Sequence, residues 1–258
     1  MSPAIHNAAF AHLGLDWVYL AFDIGPAELT SAFDAMRSMG IGGYSVTMPH
    51  KDQTLELVDE VSPEAATLRA ANCVVNRDGH LVAHNTDGDG FVAGLEHDTG
   101  FEVAGSRAAV LGAGGAARAV IDALARHGAT EVVVINRSDT NAETAAAVAG
   151  AVARTGTAKD IRGCGLVVNA TPLGMAPDVA MVPCDPELLN ADHVVADLIY
   201  APRETAWLAA AAQRGATTQN GLSMLVFQAA TQFTLWTGEA APIAQMFAAV
   251  EDALGAGI

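Results

Sequence analysis

Short apolar runs alternate with longer stretches of helical hydrophobic spacing along almost the whole chain, and that alternation predicts an α/β fold. Residues 3–13 carry the helical spacing, with Ser2 as the N-cap and Pro3 in the first helical position. Residues 17–22 read as a strand, 27–39 as a helix stopped by Gly40, and 43–48 as a strand ended by Pro49. Helical spacing returns over 54–58 and 63–68. The runs 73–76 and 80–83 flank Arg77-Asp78-Gly79, a hairpin turn signal. This order predicts a mostly parallel sheet covered by helices, with a trailing hairpin.

A second βα series begins near Arg107. Strands are predicted at 108–111, 131–135, 166–170, 193–198 and 216–219. Helices are predicted at 115–127, from 141 on, and at 204–214. Two further helices, 223–236 and 242–254, finish the chain.

Composition narrows the function classes. Half of the 258 residues are hydrophobic, enough for one large or two small cores, yet no run of about 20 apolar residues marks a membrane span. The N-terminus lacks the basic start and apolar run of a secretion signal, so a cytoplasmic location is expected. Cys73, Cys164 and Cys184 have neither disulfide nor zinc spacing, and no His/Asp/Glu grouping has metal-ligand spacing. The formal net charge of −16 repels nucleic acid and anionic membranes. An anionic small ligand therefore needs local positive groups. Only two lysines exist, Lys51 and Lys159.

Such a local site is written at 112–117. Gly112-Ala113-Gly114-Gly115-Ala116-Ala117 is a G-x-G-x-x-A pattern between a predicted strand and a predicted helix. Gly112 allows the tight turn, Gly114 lets the backbone approach a pyrophosphate, and Ala117 is small enough for helix–strand packing. The helix N-terminus offers its N–H groups to phosphate. At the end of the next strand an NAD site usually places an acid. Here Asn136-Arg137-Ser138 stands instead, and a guanidinium suits the 2′-phosphate of NADP. Asp139 leaves NAD open as a second cofactor.

These pieces, with several others in order, resemble the shikimate dehydrogenase family along essentially the whole chain. The matching segments include Ser2-Pro3, Ser45-Val46-Thr47-Met48-Pro49-His50-Lys51, Ala70-Ala71-Asn72 and Asn85-Thr86-Asp87. Others are Asn169-Ala170-Thr171-Pro172-Leu173-Gly174-Met175, Asp197-Leu198-Ile199-Tyr200-Ala201-Pro202 and the stretch from Gly221 to Gln228. The resemblance implies a two-domain α/β protein with a cleft between the domains. A mostly parallel substrate-binding domain would span 1–87, completed by helices in 223–258, and a Rossmann NADP-binding domain would span 88–222. It implies reversible reduction of 3-dehydroshikimate to shikimate on the route to chorismate and aromatic amino acids. It also implies Lys51 and Asp87 as catalytic residues, and substrate contacts from Ser2, Thr47, Asn72, Tyr200 and Gln228. Cofactor contacts would come from Gly112, Ala113, Gly114, Gly115, Ala116, Asn136, Arg137, Ser138, Thr171, Leu198 and Gly221. No metal is implied, and the expected state is a monomer or homodimer.

The chemistry of the residue types agrees with these roles. Hydride transfer to a ketone creates an alkoxide that must be stabilised or protonated. Lys51 can supply charge and a proton, and Asp87 can orient that lysine and accept from a neighbouring hydroxyl. A polyhydroxylated ring acid needs the donors and acceptors that Ser2, Thr47, Asn72 and Gln228 carry. His50 and His84 adjoin these motifs but are not assigned a proton relay. Two other readings compete: a quinate/shikimate dehydrogenase using NAD or NADP, and a non-catalytic NADP-binding sensor. The family's first serine of S-x-S-P and the strand before it have no counterpart ahead of Met1. The expectation is that an upstream extension of about 15 residues tightens shikimate binding and raises the unfolding temperature.

Overall fold

The computed structural model describes residues 1–255. Its contacts divide the chain into two units, Met1–Thr86 with the chain from Val226 on, and Asp87–Leu225.

The first unit opens with α1 (Ser2–Leu13) and α2 (Leu29–Ser38), followed by β1 (Gly43–Ser45), β2 (Glu60–Val61), α3 (Pro63–Leu68), β3 (Cys73–Arg77) and β4 (His80–His84). The four strands form a sheet in the order β1-β3-β4-β2. Leu29, Phe33 and Met36 come from one face of α2 and pack on Val46, Val74 and Leu81. The hairpin turns at Asp78 and Gly79, both with positive φ, as the Asp-Gly pair requires.

The expected mostly parallel character fails in this sheet. β3 and β4 form the expected antiparallel hairpin, but β1 also runs antiparallel to β3, and only β2 is parallel to its neighbour β4. The predicted strand over 17–22 is also absent. Its apolar run is present, but Val18, Leu20 and Phe22 are each at least 60% exposed. The Asn7 side chain takes both main-chain groups of Tyr19, accepting from its N–H at 2.7 Å and donating to its carbonyl at 3.0 Å. A strand-like apolar run thus lies without a ladder. Ser2 is not the N-cap either: the N–H groups of Ala4 and Ile5 both reach the carbonyl of Met1, so α1 starts one residue early.

The second unit runs α4 (Asp87–Thr99), β5 (Arg107–Leu111), α5 (Gly115–Arg126), β6 (Glu131–Ile135), α6 (Asp139–Ala146), β7 (Ala153–Thr155), β8 (Leu166–Asn169), β9 (Val194–Asp197), α7 (Ala206–Gln213) and β10 (Thr217–Gln219). Its sheet is wholly parallel, in the order β10-β9-β8-β5-β6-β7. Both faces are buried, which is why these strands read as continuous apolar runs. Ala108, Val110, Val132 and Val168 pack with α4 and α5, whereas Ala109, Leu111, Val133 and Val167 pack with Trp207 and Leu208 of α7. The order reverses direction between β5 and β8, and ligands of such sheets bind at the carboxyl ends flanking that switch. The chain ends with α8 (Leu222–Thr237) and α9 (Ile243–Gly255), of which α9 packs on α1.

Candidate active site

Gly112 stands at the carboxyl end of β5, at the switch point. Its φ of +118° is open only to glycine, and a Cβ there would lie 2.9 Å from the carbonyl oxygen of Ala170 after β8. The loop is pinned by Gly112 N–H to the Ile135 carbonyl at 2.9 Å and Ala170 N–H to the Leu111 carbonyl at 2.8 Å. Gly114 is the N-cap of α5 and offers no side chain to the helix N–H groups. Built side chains at Gly114 and Gly115 would meet nothing, so the backbone there faces open space, while Ala117 is wholly buried against the sheet. A bare, uncapped helix start beside a glycine turn fits a pyrophosphate.

At the end of β6, Asn136 bonds the Ser138 carbonyl at 3.0 Å, and Ser138 caps α6 by accepting from Asn141 N–H at 3.4 Å. Arg137 projects between them, exposed, and Asp139 opens α6. No acid occupies the strand end itself, so these residues fit NADP. Thr171 and Leu198 are set by a buried network below the loop. Asn169 donates to Asp197 at 3.0 Å and accepts from Thr171 N–H at 3.0 Å and Thr171 Oγ1 at 2.7 Å. Thr205 donates to the other Asp197 oxygen at 2.9 Å, and burial pushes the Asp197 carboxyl above its usual range. Gly221 lies against the same segment: a Cβ would fall on the Leu198 carbonyl oxygen, and its N–H reaches the Ile199 carbonyl at 3.0 Å. Tyr200 follows, half-buried.

In the first unit the chain after β1 is stitched to the start of β3. Val46 N–H reaches the Asn72 carbonyl at 2.8 Å, and Ala71 N–H reaches the Lys51 carbonyl at 2.8 Å. Thr47 is exposed on this turn and Lys51 half-buried. Asn72 is buried and locked to Thr86, which donates its main-chain N–H to Asn72 Oδ1 at 2.8 Å and accepts from Asn72 Nδ2 at 3.0 Å. Thr86 also donates to the Gln228 carbonyl at 3.2 Å. Asn72 and Gln228 are thereby brought to one place. Trp236 and Arg77 hold α8 to β3, through bonds to the Val74 carbonyl at 3.0 Å and the Leu235 carbonyl at 2.8 Å. Ser2 sits in the first turn of α1, and its side chain, like that of Ser45, lies near the Tyr19 hydroxyl.

Asp87 directly follows Thr86 and is the first residue of α4, where the helix dipole favours a carboxylate. Several residues of this framework were not singled out from sequence. Asn169, Asp197, Thr205, Thr86 and Gln232 support the assigned residues from behind, and an Asn or Thr at a strand end carries no signal that separates support from turn. Among the described residues no three His, Cys, Asp or Glu side chains gather as a metal site.

Comparison with known proteins agrees with this layout. Three family models match: shikimate dehydrogenase substrate-binding domain over residues 1–74, shikimate/quinate 5-dehydrogenase over 95–166, and shikimate 5′-dehydrogenase C-terminal domain over 221–251. A shikimate dehydrogenase (NADP(+)) of Moorella thermoacetica is 45% identical over 99% of this chain and 90% of its own. A crystal structure of a shikimate dehydrogenase in complex with NADP+ superposes with a TM-score of 0.92 at 37% identity, covering 98% of this chain and 90% of that one. The shikimate 5-dehydrogenase of Listeria monocytogenes, in complex with shikimate and NAD, gives a TM-score of 0.91 at 34% identity over 98% of this chain and 91% of that one.

Proposed function

The chain belongs to the shikimate dehydrogenase family, and from that membership we propose that Lys51 and Asp87 carry the reversible NADP-linked reduction of 3-dehydroshikimate to shikimate. The protein is an oxidoreductase acting on a CH–OH group. The observation that carries the reading is the bare glycine turn at the switch point, where Gly112 approaches Ala170 closer than any side chain allows.

Gly112, Ala113, Gly114, Gly115 and Ala116 would hold the pyrophosphate, and Asn136, Arg137 and Ser138 the 2′-phosphate end. Thr171, Leu198 and Gly221 complete the cofactor contacts. NADP, when bound, supplies the hydride donor or acceptor. Lys51 stabilises the negative charge that develops on the carbonyl oxygen and passes a proton to it. Asp87 accepts from a neighbouring substrate hydroxyl. Ser2, Thr47, Asn72, Tyr200 and Gln228 bind the carboxylate and remaining hydroxyls, so that the reacting carbon is oriented before transfer.

Asp139 in the first turn of α6 favours a second use of NAD, because its carboxylate can accept from a free ribose 2′-hydroxyl. Burial pushes the Cys184 thiol up to about 11 and raises that of Cys73, and all three cysteines are free, which suits the reducing cytoplasm. Among the described residues no helix is long and apolar enough to cross a membrane. A monomer or homodimer is the assigned state. Initial rates of the purified chain on shikimate and quinate, each with NADP+ and NAD+, test the assignment. Highest kcat/KM with shikimate and NADP+ is expected. Faster turnover of quinate with NAD+ would move the chain to the quinate branch.

A further inference from the structure

We infer that Gln232 is a positioning residue of the substrate site, turning the Gln228 amide so that it presents its N–H2 end to bound substrate. This rests on the assignment of Gln228 as a substrate ligand made above.

Gln228 and Gln232 lie one turn apart on one face of α8. Gln232 is 1% exposed. Its Nε2 lies 2.8 Å from Gln228 Oε1, 3.3 Å from Thr86 Oγ1 and 3.4 Å from the main-chain carbonyl of Asn72. The last partner fixes which end of the amide is which. A main-chain carbonyl only accepts, so the N–H2 end of Gln232 must face it. The Gln228 atom opposite that end must then be its carbonyl oxygen, since two N–H2 groups would repel. With Oε1 committed, the other end of Gln228 is a donor. Asn72 is fixed by the same logic, because its Oδ1 faces the Thr86 N–H, which only donates. Both amides assigned to substrate thus have their orientation set by the protein, and for Gln228 the setting residue is Gln232.

The opposite end of Gln232 points to the same conclusion. Gln232 Oε1 is buried without a hydrogen-bond partner. Such an atom destabilises the fold, and an apolar side chain of the same length would avoid the loss. The amide is therefore explained by what its N–H2 end does. A Gln228 held with its N–H2 end toward substrate selects a substrate oxygen with free lone pairs at that point. An unset amide would meet donors and acceptors alike.

The test uses the full chain in four forms: wild type, Gln232→Met, Gln228→Ala and the double variant. For each, kcat, KM for shikimate, KM for NADP+ and the unfolding temperature are measured. Gln232→Met keeps the length and removes both amide ends. It should raise KM for shikimate about tenfold, the scale of one net hydrogen bond. KM for NADP+ should stay the same, and the unfolding temperature should not fall. In the Gln228→Ala background the same change should add nothing, because Gln232 acts through Gln228. If Gln228→Ala raises KM but Gln232→Met does not, or if the two effects simply add, Gln232 is not a positioning residue. If Gln228→Ala leaves KM for shikimate unchanged, the assignment of Gln228 has failed first, and the inference with it. Should Gln232→Met not fold, Gln232→Ala is read on the same parameters, and a lower unfolding temperature with unchanged KM overturns the proposal.

Discussion

In the proposed role Lys51 acts on charge that exists only during transfer, so its loss should fall on kcat and not on cofactor affinity. Lys51→Ala should lower kcat by orders of magnitude with NADP+ affinity unchanged by fluorescence titration, and Asp87→Asn should do nearly the same. Near-normal turnover in either would remove that residue from the reacting centre. Arg137 is proposed to meet a phosphate that only one cofactor carries. Arg137→Ala should raise KM for NADP+ at least tenfold more than for NAD+, and equal changes would leave it a scaffold residue. His6 belongs to stability instead. It is buried, stacked on Tyr19 with ring centroids 4.7 Å apart, and neither ring nitrogen has a hydrogen-bond partner. Burial lowers its pKa to about 3. The unfolded chain therefore binds a proton that the folded chain refuses between about pH 6.5 and 3. Stability from this group is full above pH 6.5 and declines by about 1.4 kcal/mol for each pH unit below it. His6→Phe should keep the stack and flatten the acid side of a plot of urea midpoint against pH. Parallel curves for the two proteins would show that another group sets the slope.

At the scale of elements, the glycine turn gives the sharpest expectation. Gly112→Ala demands a positive φ and puts a methyl against Ala170 O, so it should cost about 1–3 kcal/mol and weaken NADP+ binding, checked by thermal unfolding and titration. Unchanged binding would place the pyrophosphate elsewhere. The second unit was largely legible because buried parallel strands read as apolar runs and the glycines mark β5–α5. The helix α4 was not. Gly88, Gly90 and Gly94 lower its helical propensity and erase its pattern. Yet the same glycines let it pack: a Cβ on Gly88 would strike the Ala119 carbonyl oxygen at 2.4 Å, and one on Gly94 would reach the backbone of Ser223 and Met224 at 3.0 Å. The segment 17–22 failed in the opposite sense. Its apolar run reads as a strand's, but a ladder needs a partner, and the residues of one segment cannot report whether one exists. The direction of β1 was equally hidden, since a short strand reads the same in either sense, whereas the Asp-Gly turn had already set β4 antiparallel to β3.

For the whole molecule, the net charge of −16 sets the background against which an anionic cofactor and an anionic acid must bind. In the proposed site, attraction is left to local features: the open N-terminus of α5, Arg137 and Lys51. Family motifs identified the assigned residues, while the supports behind them, Asn169 with Asp197 and Thr86 with Gln232, emerged only from distances. In the proposed reaction hydride passes directly between the carbinol carbon of shikimate and NADP. The most direct measurement uses shikimate deuterated at that carbon, with NADP+ and the purified chain, and mass analysis of the NADPH formed. The account predicts one deuterium in each NADPH and almost no product from Lys51→Ala. Unlabelled NADPH, or labelled NADPH formed just as fast by Lys51→Ala, would contradict it.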